Sequence, residues 1–278
     1  MRKMRILRVG LPLLALLVIG VIWAVTAFGS SEDAVWPEPT GTVRTTDGKL
    51  LMDSSHAEDG YIMLCVTKPS KHAMKVRITK DKAQLTYDLN NEGNWVAFPL
   101  QLGSGSYSVA LYENVKSNKY SAEGKIDFKV KLTFEDAPFL APNPYVDYDI
   151  LTAAVQKSDE LCAEADPQKP EEAFKIITDY MASEYAYDFI RAKTIQAGAL
   201  PDIDYCYENK MGICQDLSAV MVCMLRVQGV PSKLVIGYAD KYYHAWTSTV
   251  VDGREIFFDP TAALGALNAK KYQVERMY

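Results

Sequence analysis

Gly212-Ile213-Cys214-Gln215-Asp216-Leu217-Ser218 opens the stretch whose reading decides the fold. From Leu217 to Leu225 the residues are apolar nearly all round, which predicts a helix buried on every side rather than an amphipathic surface helix. Gly229 and Pro231 stop it, and Asp216 in the first turn and Arg226 in the last both suit the helix dipole. The helix is therefore expected from about Cys214 to about Gln228. Cys214 then stands at its N-terminus, where unpaired N–H groups and the positive dipole end favour an anion and hence the thiolate. The nearby Asp216 charge works against this, so the thiol needs a basic partner.

A hairpin supplies that partner. Tyr242 to Val251 and Arg254 to Asp259 are β-rich runs joined by Asp252-Gly253, a two-residue type I′ turn signal. Opposed residues in such a hairpin sum to a constant, which the pair Val251/Arg254 fixes, so Trp246 is expected to face Asp259. Because side chains alternate faces, His244 shares the face of Trp246. It is then a diagonal neighbour of Asp259, roughly 7–8 Å away between backbones, a gap that a carboxylate and an imidazole bridge. Asp259 would hold the ring, His244 would take the thiol proton, and Cys214 would attack an acyl carbon. Trp246 is either a shield that keeps water from the histidine or plain core, and the two are compatible.

These residues resemble a known family. The Gly-Ile-Cys-Gln-Asp helix start, the Leu-Arg-Val-Gln-Gly-Val-Pro helix end, the His-Ala-Trp strand and the Phe-Asp-Pro-Thr strand end look like the transglutaminase-like superfamily with its papain-like core. The resemblance covers roughly Phe174 to Thr261 and keeps the family's order of Cys, His and Asp. It implies a cysteine acyl-transfer site with Cys214 as nucleophile, His244 as base and Asp259 as orienter, and no cofactor. The superfamily includes cross-linking enzymes, peptidases, deglycosylating amidases and members that have lost catalysis, so the reaction is not fixed by likeness alone. The reading favoured is an exported cysteine-dependent acyl-transfer enzyme on peptide or protein amides, hydrolytic in preference to cross-linking. The alternative is a catalytically inactive cell-surface binding or scaffolding protein with a transglutaminase-like domain.

A chain of 278 residues with a formal net charge of −5 is long enough for two domains and shows no basic face for nucleic acid. Five cysteines, Cys65, Cys162, Cys206, Cys214 and Cys223, include no Cys-x-x-Cys pair and make neither a zinc pattern nor a disulfide framework. A metal set of Cys206, Cys214, Cys223 and His244 is disfavoured. Cys65 and Cys223 lie in apolar runs, where cysteine is usually a small hydrophobe, and a Cys162–Cys206 bridge stays open for an oxidising compartment.

Met1 to Arg8 carries Arg2, Lys3, Arg5 and Arg8, and Val9 to Phe28 is then 20 residues without a charge. That length suits a membrane-spanning helix, while Val25-Thr26-Ala27 resembles a signal-peptide cleavage site, so residues 1–30 are read as signal peptide or anchor. Either form places the rest outside the cytoplasm, membrane-anchored or secreted, with the membrane and peptide, protein or cell-envelope material as partners. Residues 31–41, with Pro37 and Pro39, read as a tether. From Thr42 to Asp136 short β-rich runs at Tyr61–Thr67, Met74–Thr79, Gln84–Leu89, Trp95–Leu102, Tyr107–Tyr112 and Lys125–Phe134 suggest a small immunoglobulin-like sandwich.

The proline-rich stretch 137–144 marks the boundary, where a protease is expected to cut first, and 145–278 is the catalytic domain. There Leu151, Ala154, Val155, Leu161 and Cys162 make a helical stripe, and Pro170 opens a second helix with Glu171 and Glu172 against the dipole. Arg191 to Met211 has weak periodicity and reads as an irregular rim of the substrate cleft. From it Tyr205 and Tyr207 would stack on substrate, or a backbone N–H would join that of Cys214 in an oxyanion hole. Tyr272 to Tyr278 alternates and reads as a last edge strand. The fold class expected is α+β, a papain-like core preceded by a small all-β domain.

Overall fold

A computed structural model describes residues 29–278, Asp252 excepted. The expected signal peptide or anchor over 1–30, all but its last two residues, and Asp252 of the hairpin turn therefore lie outside the described residues. Among the described residues no helix is long and apolar enough to cross a membrane.

The first half is all β. Its strands are β1 (Arg44–Asp47), β2 (Leu50–Asp53), β3 (Tyr61–Val66), β4 (Met74–Lys80), β5 (Ala83–Leu89), β6 (Val96–Pro99), β7 (Gly105–Lys116) and β8 (Lys119–Val130). They form two antiparallel sheets, ordered β1-β2-β3-β6 and β5-β4-β7-β8. Strand β7 shows why: Tyr107, Val109 and Leu111 alternate inward with polar or small residues facing out, the period of a half-buried strand. They share one core with Leu50, Ile62 and Leu64 of the other sheet.

Strands β1 and β2 have no counterpart among the expected runs. β1 is exposed along its whole length and has no apolar period to find, since what holds it is the ladder to β2. The run Trp95–Leu102 shrinks to β6, which ends at Pro99 opposite Tyr61, the first residue of β3, with the Leu100 N–H going on to the Gly60 carbonyl (2.8 Å). The run Lys125–Phe134 ends at Val130, and Thr133 N–H turns away to the Glu58 carbonyl (2.8 Å).

The second half is mixed. In order it contains α1 (Ala153–Cys162), α2 (Pro170–Glu184), β9 (Ala186–Tyr187), α3 (Arg191–Thr194), α4 (Ile203–Asn209), β10 (Met211–Gly212), α5 (Cys214–Val227), β11 (Ser232–Ala239), β12 (Tyr242–Val251), β13 (Arg254–Phe258), α6 (Pro260–Ala263) and β14 (Tyr272–Met277). Strands β13-β12-β11-β14 make an antiparallel sheet, and β9 pairs with β10 in parallel. Helix α5 is the centre: every residue from Asp216 to Val227 is buried, and α1, α2, α4, β11 and β12 pack around it. Gly229 ends it at φ +73°, where a side chain would be strained, with Gly229 N–H on Arg226 O and Val230 N–H on Leu225 O.

Two expectations change here. Leu151, placed on the α1 stripe, is 77% exposed, because Asp149 Oδ1 takes the N–H groups of Leu151 and Thr152 and the helix starts only after them. The irregular rim contains α3 and α4. Asp202 caps α4 by accepting from Tyr205 N (2.9 Å), and Lys210 closes it in the left-handed region, so a helix forms where apolar spacing was thin.

The segments read as tether and linker are packed. Ser31 N–H donates to Asp159 (2.9 Å), and the Trp36 indole stands edge-on to Tyr148. Residues 137–143 are all buried. At the junction of the two halves the Tyr145 and Tyr278 rings stack at 3.6 Å with Tyr87 against both.

Candidate active site

Cys214 is the first residue of α5, so its own N–H is among the four that no helical carbonyl takes. Gly212 just before it must be glycine, since a Cβ there would meet Cys206 Sγ at 2.6 Å and Asp216 Cβ at 2.9 Å. The Asp216 charge that sequence set against a thiolate is spent elsewhere. Arg191 Nε bonds it at 2.8 Å, and the N–H groups of Ile213 and Asp202 take its oxygens at 3.2 and 3.0 Å. Arg191 is held in turn by Asp188, whose Oδ1 accepts from Arg191 N at 2.8 Å.

The hairpin has the expected register, with Val251 opposite Arg254 and Thr247 opposite Phe258. Asp259 follows β13 as the cap of α6, its Oδ1 accepting from Thr261 N and Ala262 N (2.9 and 3.1 Å). Its other oxygen meets His244 Nε2 at 2.9 Å. That leaves Nδ1 as the ring nitrogen free for the thiol. Burial opposes charge on His244, yet its bonds to Asp259 and Cys214 outweigh it, and the imidazole is pushed up to about 9. For Asp259, burial would raise the carboxyl, but the bonds to His244, Tyr272 and the α6 N–H groups hold it below its usual range.

Trp246 is buried, its ring 6.2 Å from that of His244 and inclined at 25°, so it walls the imidazole from solvent and is core as well. Tyr205 turns to the Arg191–Asp216 pair: its hydroxyl donates to Asp188 (2.8 Å) and its ring lies under the guanidinium at 4.6 Å. Tyr207 points to another face of α4, under Lys210 Nζ at 3.4 Å and among the tyrosines around Tyr180. Among the described residues no group of three His, Cys, Asp or Glu side chains is placed to hold a metal ion.

Two residues escaped the sequence. Tyr272 at the start of β14 donates its hydroxyl to Asp259 Oδ2 at 2.7 Å. Tyr187 lies beside Gly212 in the β9–β10 pair; burial, with the charges of Cys214 and Asp216 close by, pushes its phenol up to about 12. Tyr272 was readable as a strand residue, but its contact depends on β14 pairing with β11, which no local signal specifies. Tyr272→Phe is expected to lower acylation of Cys214 by about tenfold, through loss of one hydrogen bond to a charged group. Since that bond helps hold the Asp259 carboxyl down, the acid limb of the pH profile should move to higher pH. An unchanged limb would leave Tyr272 a packing residue only.

All five cysteines are free, and Cys214 is the one not buried. Burial pushes the Cys162 thiol up to about 11 and also raises Cys65, Cys206 and Cys223. Iodoacetamide on the native chain should therefore label Cys214 and spare the other four, as read by peptide mapping. Labelling of a second cysteine at a comparable rate would contradict the burial pattern.

Residues 157–260 match the family described as the transglutaminase-like superfamily. No curated protein matches the chain. Among solved structures it is similar to a candidate cysteine protease from Cytophaga hutchinsonii, at 14% identity over 78% of this chain and 83% of that one, TM-score 0.41. It is also similar to a candidate protease from Parabacteroides distasonis, at 12% identity over 69% and 38%, TM-score 0.35. Red sea bream transglutaminase is a third, at 14% identity over 72% and 48%, TM-score 0.29.

Proposed function

We propose, taking as premise that residues 157–260 are a transglutaminase-like core in a mixed α+β chain, that the protein is a cysteine-dependent acyl-transfer enzyme acting on peptide or protein amides. The observation that carries this is His244, bonded through Nε2 to Asp259 and raised to about 9 by Asp259 and Cys214 together. A ring so placed stays an imidazolium at neutral pH, holding the proton of a cysteine at a helix N-terminus, the pairing that makes a cysteine nucleophilic.

In the reaction Cys214 Sγ, its proton already on His244, forms a bond to the amide carbon. The electron pair of the C–N bond leaves with the nitrogen, which takes the proton from His244 Nδ1 and departs as an amine. The product is a thioester on Cys214. Water then attacks that carbon, its proton passes to His244, and the S–C bond breaks to return the Cys214 thiolate beside the imidazolium, with a carboxylic acid. An amine in place of water would give transamidation, and the proposal is hydrolysis. Asp259 keeps the ring in one tautomer, Tyr272 keeps Asp259, and Trp246 keeps water from the back of the pair.

Export belongs to the same proposal. It is supported by Arg2, Lys3, Arg5 and Arg8 ahead of 20 uncharged residues. A cell-fractionation blot with the full-length chain soluble in the cytosol would contradict it.

The test of the chemistry is capture of an acyl-enzyme on Cys214 from a mixed peptide pool, followed by release with water and with a primary amine. A thioester released by water as acid supports the hydrolase. Preferential release as an amide would make the protein a cross-linker, and no adduct from any pool would leave the scaffold reading in its place.

A further inference from the structure

A groove of about 970 Å³ runs between the two halves of the molecule, lined by none of the three triad residues. Its floor is aromatic and amide, with Trp36, Trp95 and Tyr148 against Asn90, Asn94 and Asn143. Its charges are of one sign: Glu38, Asp88, Asp147 and Asp149 line it, and no lysine or arginine does. Lys75 pairs with Asp88 at 2.8 Å, and Asp149 takes the N–H groups of Leu151 and Thr152. Glu38, Asp147 and Asp149 form no salt bridge among the described residues. Carboxylates crowded along walls of low dielectric focus a negative potential that attracts cations.

A second observation is independent of charge. Asn143 is 3% exposed and lines the groove; its Oδ1 accepts from Tyr145 N and Val146 N at 2.9 and 3.2 Å, while its Nδ2 has no partner. A buried amide donor without an acceptor costs about 1–3 kcal/mol, and this one lies beneath the groove wall. The face of Trp95 already carries one cation, the Arg44 guanidinium at 5.3 Å. Indoles favour cations and the methylene stems that bear them.

We propose that this groove binds a lysine- or arginine-bearing segment of a polypeptide, its basic side chains among Glu38, Asp147 and Asp149 and its stems on the indoles. The volume sits at the upper end of the roughly 300–1,000 Å³ range of small-ligand sites, room for a segment rather than one side chain. Leu200 lines the groove, and the carbonyl of Ala199 next to it accepts from Gln215 Nε2 at 3.0 Å. Gln215 follows the nucleophile, so this contact ties the groove's lining to the Cys214 end of α5. That the bound segment is the substrate's own rests on the proposed hydrolase; the binding does not.

The probe is a hexalysine peptide titrated into the full chain carrying Cys214→Ala, which prevents turnover, with tryptophan fluorescence as the readout. Saturable binding is expected, weakening with salt, at least tenfold weaker in Glu38→Lys/Asp147→Lys and lost with the N-acetyl-lysine peptide. Neither position takes part in the triad. With the native thiol restored, iodoacetamide labelling of Cys214 in that double variant should be unchanged, which shows that the site still folds. Binding that ignores the double reversal or the acetylation would overturn the proposal. So would saturable binding of chitohexaose with none of the peptide, which would make the groove a glycan site. If labelling of Cys214 proves ordinary while the groove binds as expected, the hydrolase fails and the groove stands.

Discussion

Replacing His244 with alanine is expected to lower acylation of Cys214 by about 10²- to 10⁴-fold, the usual worth of a positioned general acid–base. The imidazole is pushed up to about 9 in the folded chain, against about 6.5 for a free one, so the ring holds its proton across the neutral range. The sign follows from the direction of that shift. A raised histidine supplies its ion-pair stabilisation in full below about 6.5, and it is lost as pH rises through about 9. Wild-type acylation should therefore decline above about pH 9, and His244→Ala should have no such limb. Iodoacetamide labelling of Cys214 near pH 7 should fall in parallel. Labelling that keeps its rate and pH profile without His244 would mean that no catalytic pair exists. Asp259→Ala should be milder, because it frees the ring and its tautomer but leaves the base in place.

The elements behind that prediction were legible because their signals are local. A fully apolar helix ended by glycine and proline, and a hairpin whose register follows from a two-residue turn, can both be counted off the chain. Asp259 and His244 meet because Val251 faces Arg254, and nothing distant enters the count. The supports around them are of another kind. Arg191 neutralises Asp216 across 25 residues of chain, and Tyr272 reaches Asp259 only once β14 has paired with β11. That pairing has a register shift at Ile236/Gly237, where a Cβ on Gly237 would lie 2.0 Å from Gln273 O. No periodicity encodes such a fit. Packing of the expected tether and linker was hidden for the same reason, since Trp36 and Ala141 bury themselves against residues more than 80 positions away.

Arg226 is the clearest case of a residue whose role the sequence understated, and its replacement should have the largest effect on stability. Its sequence position suggests a basic group at the helix end, suited to the dipole, but it is fully buried. Its Nε, Nη1 and Nη2 donate to the carbonyls of Ser232, Ala141 and Tyr278 at 2.9, 2.6 and 3.0 Å. Burial without a salt-bridge carboxylate pushes its guanidinium down to about 10. Arg226→Ala removes three donors from buried carbonyls, at about 1–3 kcal/mol for each left unsatisfied, and opens a cavity. Losing the desolvation cost of the charge offsets part of this, so the net loss should be about 3–5 kcal/mol. That is a large share of the roughly 5–15 kcal/mol that holds a domain folded.

Arg226→Met separates the two contributions. It restores most of the volume and none of the donors, so urea unfolding should still show a loss of about 2 kcal/mol or more. A methionine variant as stable as wild type would mean the carbonyls do not need the guanidinium. Because the Ala141 carbonyl lies in the buried stretch 137–143, Arg226 also fastens that stretch to α5. A protease can cut there only when it opens, so cleavage between Ala137 and Pro144 should be slow in the wild type and faster in Arg226→Ala. Equal cleavage rates in the two chains would show that the stretch is held by its apolar contacts alone.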